Sequence, residues 1–163
     1  INTRHDGTIL DEFRVQTKDR QAISEFGTQK RISQMIERSL AGDMSLFNAL
    51  RQKSARVSKR VRALKVAPRV LVTNARSKTH TVIEVNGADR PGLLYQITYH
   101  IAQMGLQINS ASVSTYGEKA VDVFYVKDVF GLQIEREHVQ QKVHDVLLAI
   151  LEGNAESPLD SGK

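Results

Sequence analysis

The sequence predicts an α+β chain: an antiparallel sheet with two helices on one face, nearly complete in the second half and preceded by the back half of another copy. Three observations carry that expectation. Downstream of residue 69, segments with a two-residue apolar period alternate with segments whose apolar positions recur every three to four residues, in the order strand, helix, strand, strand, helix. An internal repeat relates the two halves without a gap. A run of basic residues then separates them, marking a boundary between units.

The repeat is the strongest of the three. Asp11, Phe13 and Val15 recur as Asp122, Phe124 and Val126, 111 residues downstream. The same offset carries Ile32 onto Val143, Met35 onto Val146, Ile36 onto Leu147, Leu40 onto Leu151 and Gly42 onto Gly153. One strand and one helix are therefore repeated with their spacing intact. The second copy reaches back to about Lys78, so the matching start of the first would fall about 33 residues before Ile1. The expected organisation is a truncated first unit over 1–50, a basic linker over 51–68, a complete unit over 69–153 and a disordered polar tail over 154–163.

In the complete unit, 79–86 alternates, with Thr81, Ile83 and Val85 on one face and Val82, Glu84 and Asn86 on the other. A helix follows. Pro91 suits its first turn, Asp89 can accept an unpaired amide there, and Leu93, Leu94, Ile97, Ile101 and Met104 form its apolar stripe before Gly105 ends it. The strand over 106–115 changes apolar parity between Ile108 and Ala111, the mark of a bulge. A turn at 116–118 leads into a strand over 120–127 that is apolar on both faces. The last helix, 135–151, places Val139, Val143, Val146, Leu147, Ile150 and Leu151 on one side. A ferredoxin-like sheet needs a fourth strand beside the first. The polar segment 154–163 does not supply it, whereas the β-rich run 69–74, joined to 79–86 by a short turn, can pair antiparallel at the vacant edge. Upstream, the apolar residues of a helix over 23–40 read as core.

Composition removes several function classes. There is no cysteine, which excludes disulfides, thiolate zinc sites and cysteine nucleophiles. His5, His80, His100, His138 and His144 are scattered without ligand spacing, and neither a phosphate-cradling glycine loop nor a paired-acid nucleotidyltransfer motif is present. No turnover is expected of this chain. No apolar run reaches the roughly 20 residues of a spanning helix, so no membrane partner is expected and the default compartment is the cytoplasm. The net charge of +5 is local: eight cations and no acid lie in 51–69, leaving 15 basic and 18 acidic residues elsewhere. No aromatic residue is interleaved with these cations for base stacking, which argues against a nucleic-acid partner and for a solvated linker.

The run EVNGADRPGLL at 84–94 resembles the strand-to-helix turn of ACT domains, small modules that commonly bind amino acids. The resemblance extends through 89–98, 108–112 and 116–132, and there it is similar to the carboxy-terminal region of bacterial PII uridylyltransferases, enzymes with two tandem ACT domains. That resemblance implies a ferredoxin-like ACT domain of βαββαβ type, preceded by a truncated second ACT domain. It implies a regulatory, non-catalytic region of a bifunctional uridylyltransferase/uridylyl-removing enzyme in nitrogen regulation. Glutamine is the implied ligand. The implied partners are the parent's catalytic domains, the PII protein through them, and a second ACT unit or a second copy of the chain. No cofactor is expected for this chain, while the parent's transferase chemistry implies a divalent metal such as Mg2+.

The ligand residues expected on this basis are Asn86, Asp89, Arg90, Pro91, Gly92, Leu93 and Leu94 at the turn, with Asn109, Ser110 and Ser112 facing them across a paired domain. The physics of the turn is consistent: amides at a helix start favour a carboxylate, and Gly92 permits close backbone approach. Asp, Pro and Gly at a turn are also ordinary capping chemistry. Two other functions fit the same residues, a purely structural oligomerisation module and an ACT regulator of a different metabolic enzyme.

Overall fold

The computed structural model describes residues 2–3, 9–10, 15–17, 19, 21–42, 49–50 and 66–154. The chain divides into two compact units, Ile1–Ala49 and Leu50–Lys163. Most of the basic run, the strand expected over 11–15 apart from Val15, and the tail beyond residue 154 lie outside the described residues.

In the first unit, β1 (Asn2–Thr3) pairs antiparallel with β2 (Ile9–Leu10), and α1 spans Phe26–Leu40. Shifted by 111 residues, α1 falls on 137–151, onto the last helix of the second unit, and Gly42 falls on Gly153. Both glycines end their helices in the left-handed region, at φ 78° and 75°. In its helical half the repeat is thus structural as well as textual. The expectation that the apolar residues of this helix form core is corrected: α1 has no buried residue, and Met35, Ile36 and Leu40 are exposed.

The second unit is a four-stranded antiparallel sheet. It comprises β3 (Arg69–Thr73), β4 (Thr81–Ala88), β5 (Gln107–Tyr116) and β6 (Lys119–Lys127), in the spatial order β3, β4, β6, β5. Helices α2 (Leu93–Gln103) and α3 (Glu137–Glu152) connect and follow them. This is the expected ferredoxin-like arrangement, with one permutation: the edge strand beside β4 comes from upstream, so the chain order is ββαββα. The sequence-level hairpin accounts for it, since Val70 pairs with Val85 and Val72 with Ile83. The parity change in β5 is a bulge at Asn109, where Ile108 opposes Val126 but Ser110 opposes Tyr125.

Period-two alternation sends Ile83 and Val85 of β4 and Ala120, Phe124 and Val126 of β6 to the face covered by the helices. There they pack with Leu93, Ile97 and Ile101 of α2 and Val143, Leu147 and Ile150 of α3. Buried polar contacts stitch the β3–β4 turn to the loop before α3. The fully buried Thr81 hydroxyl donates to Asn74 Oδ1 at 2.7 Å and accepts the Ile134 amide at 2.8 Å, while Gln133 Nε2 donates to the His80 carbonyl at 2.9 Å. Thr81→Val keeps the shape but strands the Ile134 amide. It should cost about 1–3 kcal/mol in a denaturant melt. Among the described residues no helix is long and apolar enough to cross a membrane.

Candidate functional site

Strand β4 runs out at Ala88, and within four residues the chain must turn and start α2 over the sheet. Gly92 makes that possible. It occupies the position before the helix at φ 85°, a conformation that L side chains rarely adopt, and so ends the turn and orients the first helical residue. The helix accordingly begins at Leu93, so Pro91 precedes the helix instead of lying in its first turn. The expected Asp89 cap is likewise corrected: α2 has no side-chain cap. The Asp89 amide is committed to the Glu118 carbonyl at 2.8 Å, which ties the turn to the β5–β6 hairpin. The Leu93 amide donates to the Arg90 carbonyl at 3.0 Å and the Gln96 amide to the Gly92 carbonyl at 2.9 Å, and no side chain caps the amides between them.

The remaining turn residues are divided among different tasks. Leu93 is core and Leu94 is exposed. The Arg90 guanidinium does not point away from the domain. Its Nη2 donates to the Ile150 carbonyl in the last turn of α3 at 3.0 Å and to Gln96 Oε1, and burial lowers its pKa from the ordinary arginine value.

Asn86 stands on the sheet face opposite the helices, where it pairs with Val121 of β6, and Val121 pairs in turn with Ser114 of β5. Ser110 and Ser112 share that open face but oppose Tyr125 and Val123, further from the turn. Strand β6 therefore separates the two groups by two strand spacings, about 10 Å. A single copy brings 89–94 together and does not bring Asn109, Ser110 and Ser112 to them.

Two residues at this corner escaped the sequence reading. Asp122 lies on the helix-facing parity of β6, opposite Val85 and Val113, with only 3% of its surface exposed. Burial pushes its carboxyl up to about 6; the Ser114 amide, donating to Oδ1 at 3.3 Å, opposes that rise, and the nearby Asp89 carboxylate adds to it. The signal was available in the alternation itself, which puts an acid in line with Ala120, Phe124 and Val126. Gly87 is the second. A Cβ there would lie 2.7 Å from Leu151 Cδ2, so the absent side chain lets the end of α3 approach β4.

Elsewhere, a concavity of about 440 Å3 follows α1, lined by Arg31, Gln34, Met35, Glu37 and Arg38. Residues from a single helix provide no converging set of groups, so it is a weaker candidate than the β4–α2 corner. Among the described residues no three His, Asp or Glu side chains gather to hold a metal ion.

Residues 76–151 match the model of the ACR family N-terminal ACT domain. The chain is 44% identical over 162 residues to the bifunctional uridylyltransferase/uridylyl-removing enzyme of Rhodospirillum rubrum, covering 99% of this chain and 17% of that protein. It is 47% identical over 152 residues to the protein of the same name from Azospirillum brasilense, and 41% identical over 152 residues to that of Gluconobacter oxydans, covering in each case 93% of this chain and 16% of the relative. The chain thus spans about a sixth of the length of the curated relatives it matches. No solved structure matches it.

Proposed function

We propose that the chain senses an amino acid, glutamine, for a bifunctional uridylyltransferase/uridylyl-removing enzyme, a reading supported by the match of residues 76–151 to the ACR family N-terminal ACT domain and by the similarity of the chain to about a sixth of the length of such enzymes. The observation that carries the reading is the start of α2. Gly92, in a left-handed conformation, leads into a helix that no side chain caps, and the positive end of such a helix favours a carboxylate. Asn109, Ser110 and Ser112 complete the site from a paired ACT unit or a second copy, since one copy holds them a strand apart from the turn. Glutamine then favours one arrangement of the paired units over another, and only that difference in affinity moves the parent between uridylyl transfer to PII and uridylyl removal. The parent's catalytic domains are the partner that reads this shift, in the cytoplasm.

Calorimetry with glutamine, against glutamate and other amino acids, tests the reading. Saturable, glutamine-selective heat should accompany a stability gain of about 2.7 kcal/mol at a hundredfold excess over Kd. Gly92→Val should weaken binding at least tenfold, with a stability loss of about 1–2 kcal/mol from the left-handed backbone. Full-affinity binding in that folded variant would place the site elsewhere. A second reading, a structural pairing module, draws on β5, which is an edge strand with Val113 and Tyr116 exposed. It expects an oligomeric state indifferent to glutamine.

A further inference from the structure

Arg90 is an unusual cation for its setting. It is half-buried, and among the described residues no carboxylate pairs with it; its recorded acceptors are the neutral oxygens of Gln96 and Ile150. Guanidinium groups pair with carboxylates in a bidentate fork, two parallel N–H···O bonds that add geometric specificity as well as energy. Two anion-seeking features therefore meet at one turn: this guanidinium, and the uncapped start of α2 two residues further on.

The acceptor that Arg90 does use is also distinctive. The Ile150 carbonyl takes the Gly153 amide at 3.1 Å as well as Arg90 Nη2 at 3.0 Å, while Asn154 N donates to the Ala149 carbonyl at 2.9 Å. Arg90 thus reinforces the glycine-ended C-cap of α3, where the helix dipole favours a cation. One residue on, Leu151 fills the space left by Gly87, so the same end of α3 also leans on the strand that leads into the turn.

We propose that Arg90 is a latch between the amino-acid turn and the end of α3: it holds the Ile150 carbonyl when the turn is empty and transfers to the ligand carboxylate when an α-amino acid binds. The last turn of α3 then loosens, and residues 148–154 become the element through which occupancy is read. This inference rests on the amino-acid-sensing reading. It adds the route by which the turn acts on the rest of the molecule, and it supplies the differential contact that such a shift requires.

Amide hydrogen exchange on the chain, with and without saturating glutamine, tests the latch beside the calorimetric titration. The expected result is exchange about tenfold faster at Gly153 and Asn154 on saturation, the loss of one charge-assisted hydrogen bond to a helix end. Arg90→Met, which keeps the length of the stem but removes the donors, should show that faster exchange without ligand and no further change on adding glutamine. Arg90→Lys serves as a milder variant if Met impairs folding, and its single ammonium should give ligand-free exchange between those of wild type and the saturated protein. Glutamine heat with unchanged or slower exchange at these two amides overturns the latch and leaves the sensing reading standing. Absence of heat in the wild-type protein overturns both. Wild-type exchange behaviour in either folded Arg90 variant reduces Arg90 to a neighbour of α3 with no part in holding it, and the latch falls.

Discussion

Phe124→Ala should lower the stability of the second unit by about 3–5 kcal/mol, the largest single effect expected of any substitution considered for this chain. The ring is fully buried on the central strand β6, flanked by Ile83 of β4 and Ala111 of β5, and it faces both helices across the sheet. Removing it loses the transfer free energy of the ring and opens a cavity at the point where all the layers meet, which rigid neighbours cannot fill. Since a domain of this size holds only 5–15 kcal/mol in total, such a loss threatens folding at physiological temperature. The comparison residue is Phe130, which is 82% exposed in the loop after β6. Phe130→Ser should stay within about 0.5 kcal/mol of wild type. Paired urea melts check both; a small effect at Phe124 would mean that the helices do not pack on β6 as described.

The second large effect is a pH dependence centred on Asp122. Its carboxyl titrates near 6 in the folded chain because it is buried away from water and near Asp89, against 3.8 for an unperturbed aspartate. Between those values the native state binds the proton and the unfolded state does not. Stability therefore falls as pH rises from about 4 to about 6, and is level with respect to this group above that. The expected fall is on the order of 2 kcal/mol. Asp122→Asn removes the ionisable group at nearly constant shape, so the variant should be more stable than wild type at pH 7.5 and indistinguishable from it near pH 4. Subtracting one melt series from the other cancels the remaining carboxylates. These include Asp145, whose pKa is lowered by its hydrogen bonds with His144 and Gln141. A wild-type minus variant difference that does not change with pH would show that Asp122 is solvated and that the corner is more open than its 3% exposure indicates.

Both effects arise from residues whose roles differ in how far the sequence discloses them. Phe124 was legible as one of the apolar residues of β6, matched by Phe13 in the repeat, but a strand apolar on both faces did not disclose which face carries the core. Asp122 appeared in the same run only as one letter of a motif. The parity of the strand sends it to the helix-covered face, but its titration depends on Asp89, Ser114 and the packing above it. Those come from the end of β4, from β5 and from a helix, and no spacing rule relates them.

What the sequence by itself determined was the set of elements and their order: the period-two strands, the amphipathic helices, a bulge between Ile108 and Ala111, the use of the run 69–74 as the fourth strand and the 111-residue repeat. Each is a local pattern, or a comparison of local patterns, and backbone periodicity alone enforces it. Only the tertiary structure decided that Gly92 precedes the helix uncapped, that Arg90 reaches the end of α3, that Gly87 is small to admit Leu151, and that α1 leaves its apolar face exposed. It also decided that β6 stands between Asn86 and the serines of β5. Each of these turns on which distant surfaces meet, and therefore on the burial and dielectric surroundings that packing creates and a linear pattern does not contain.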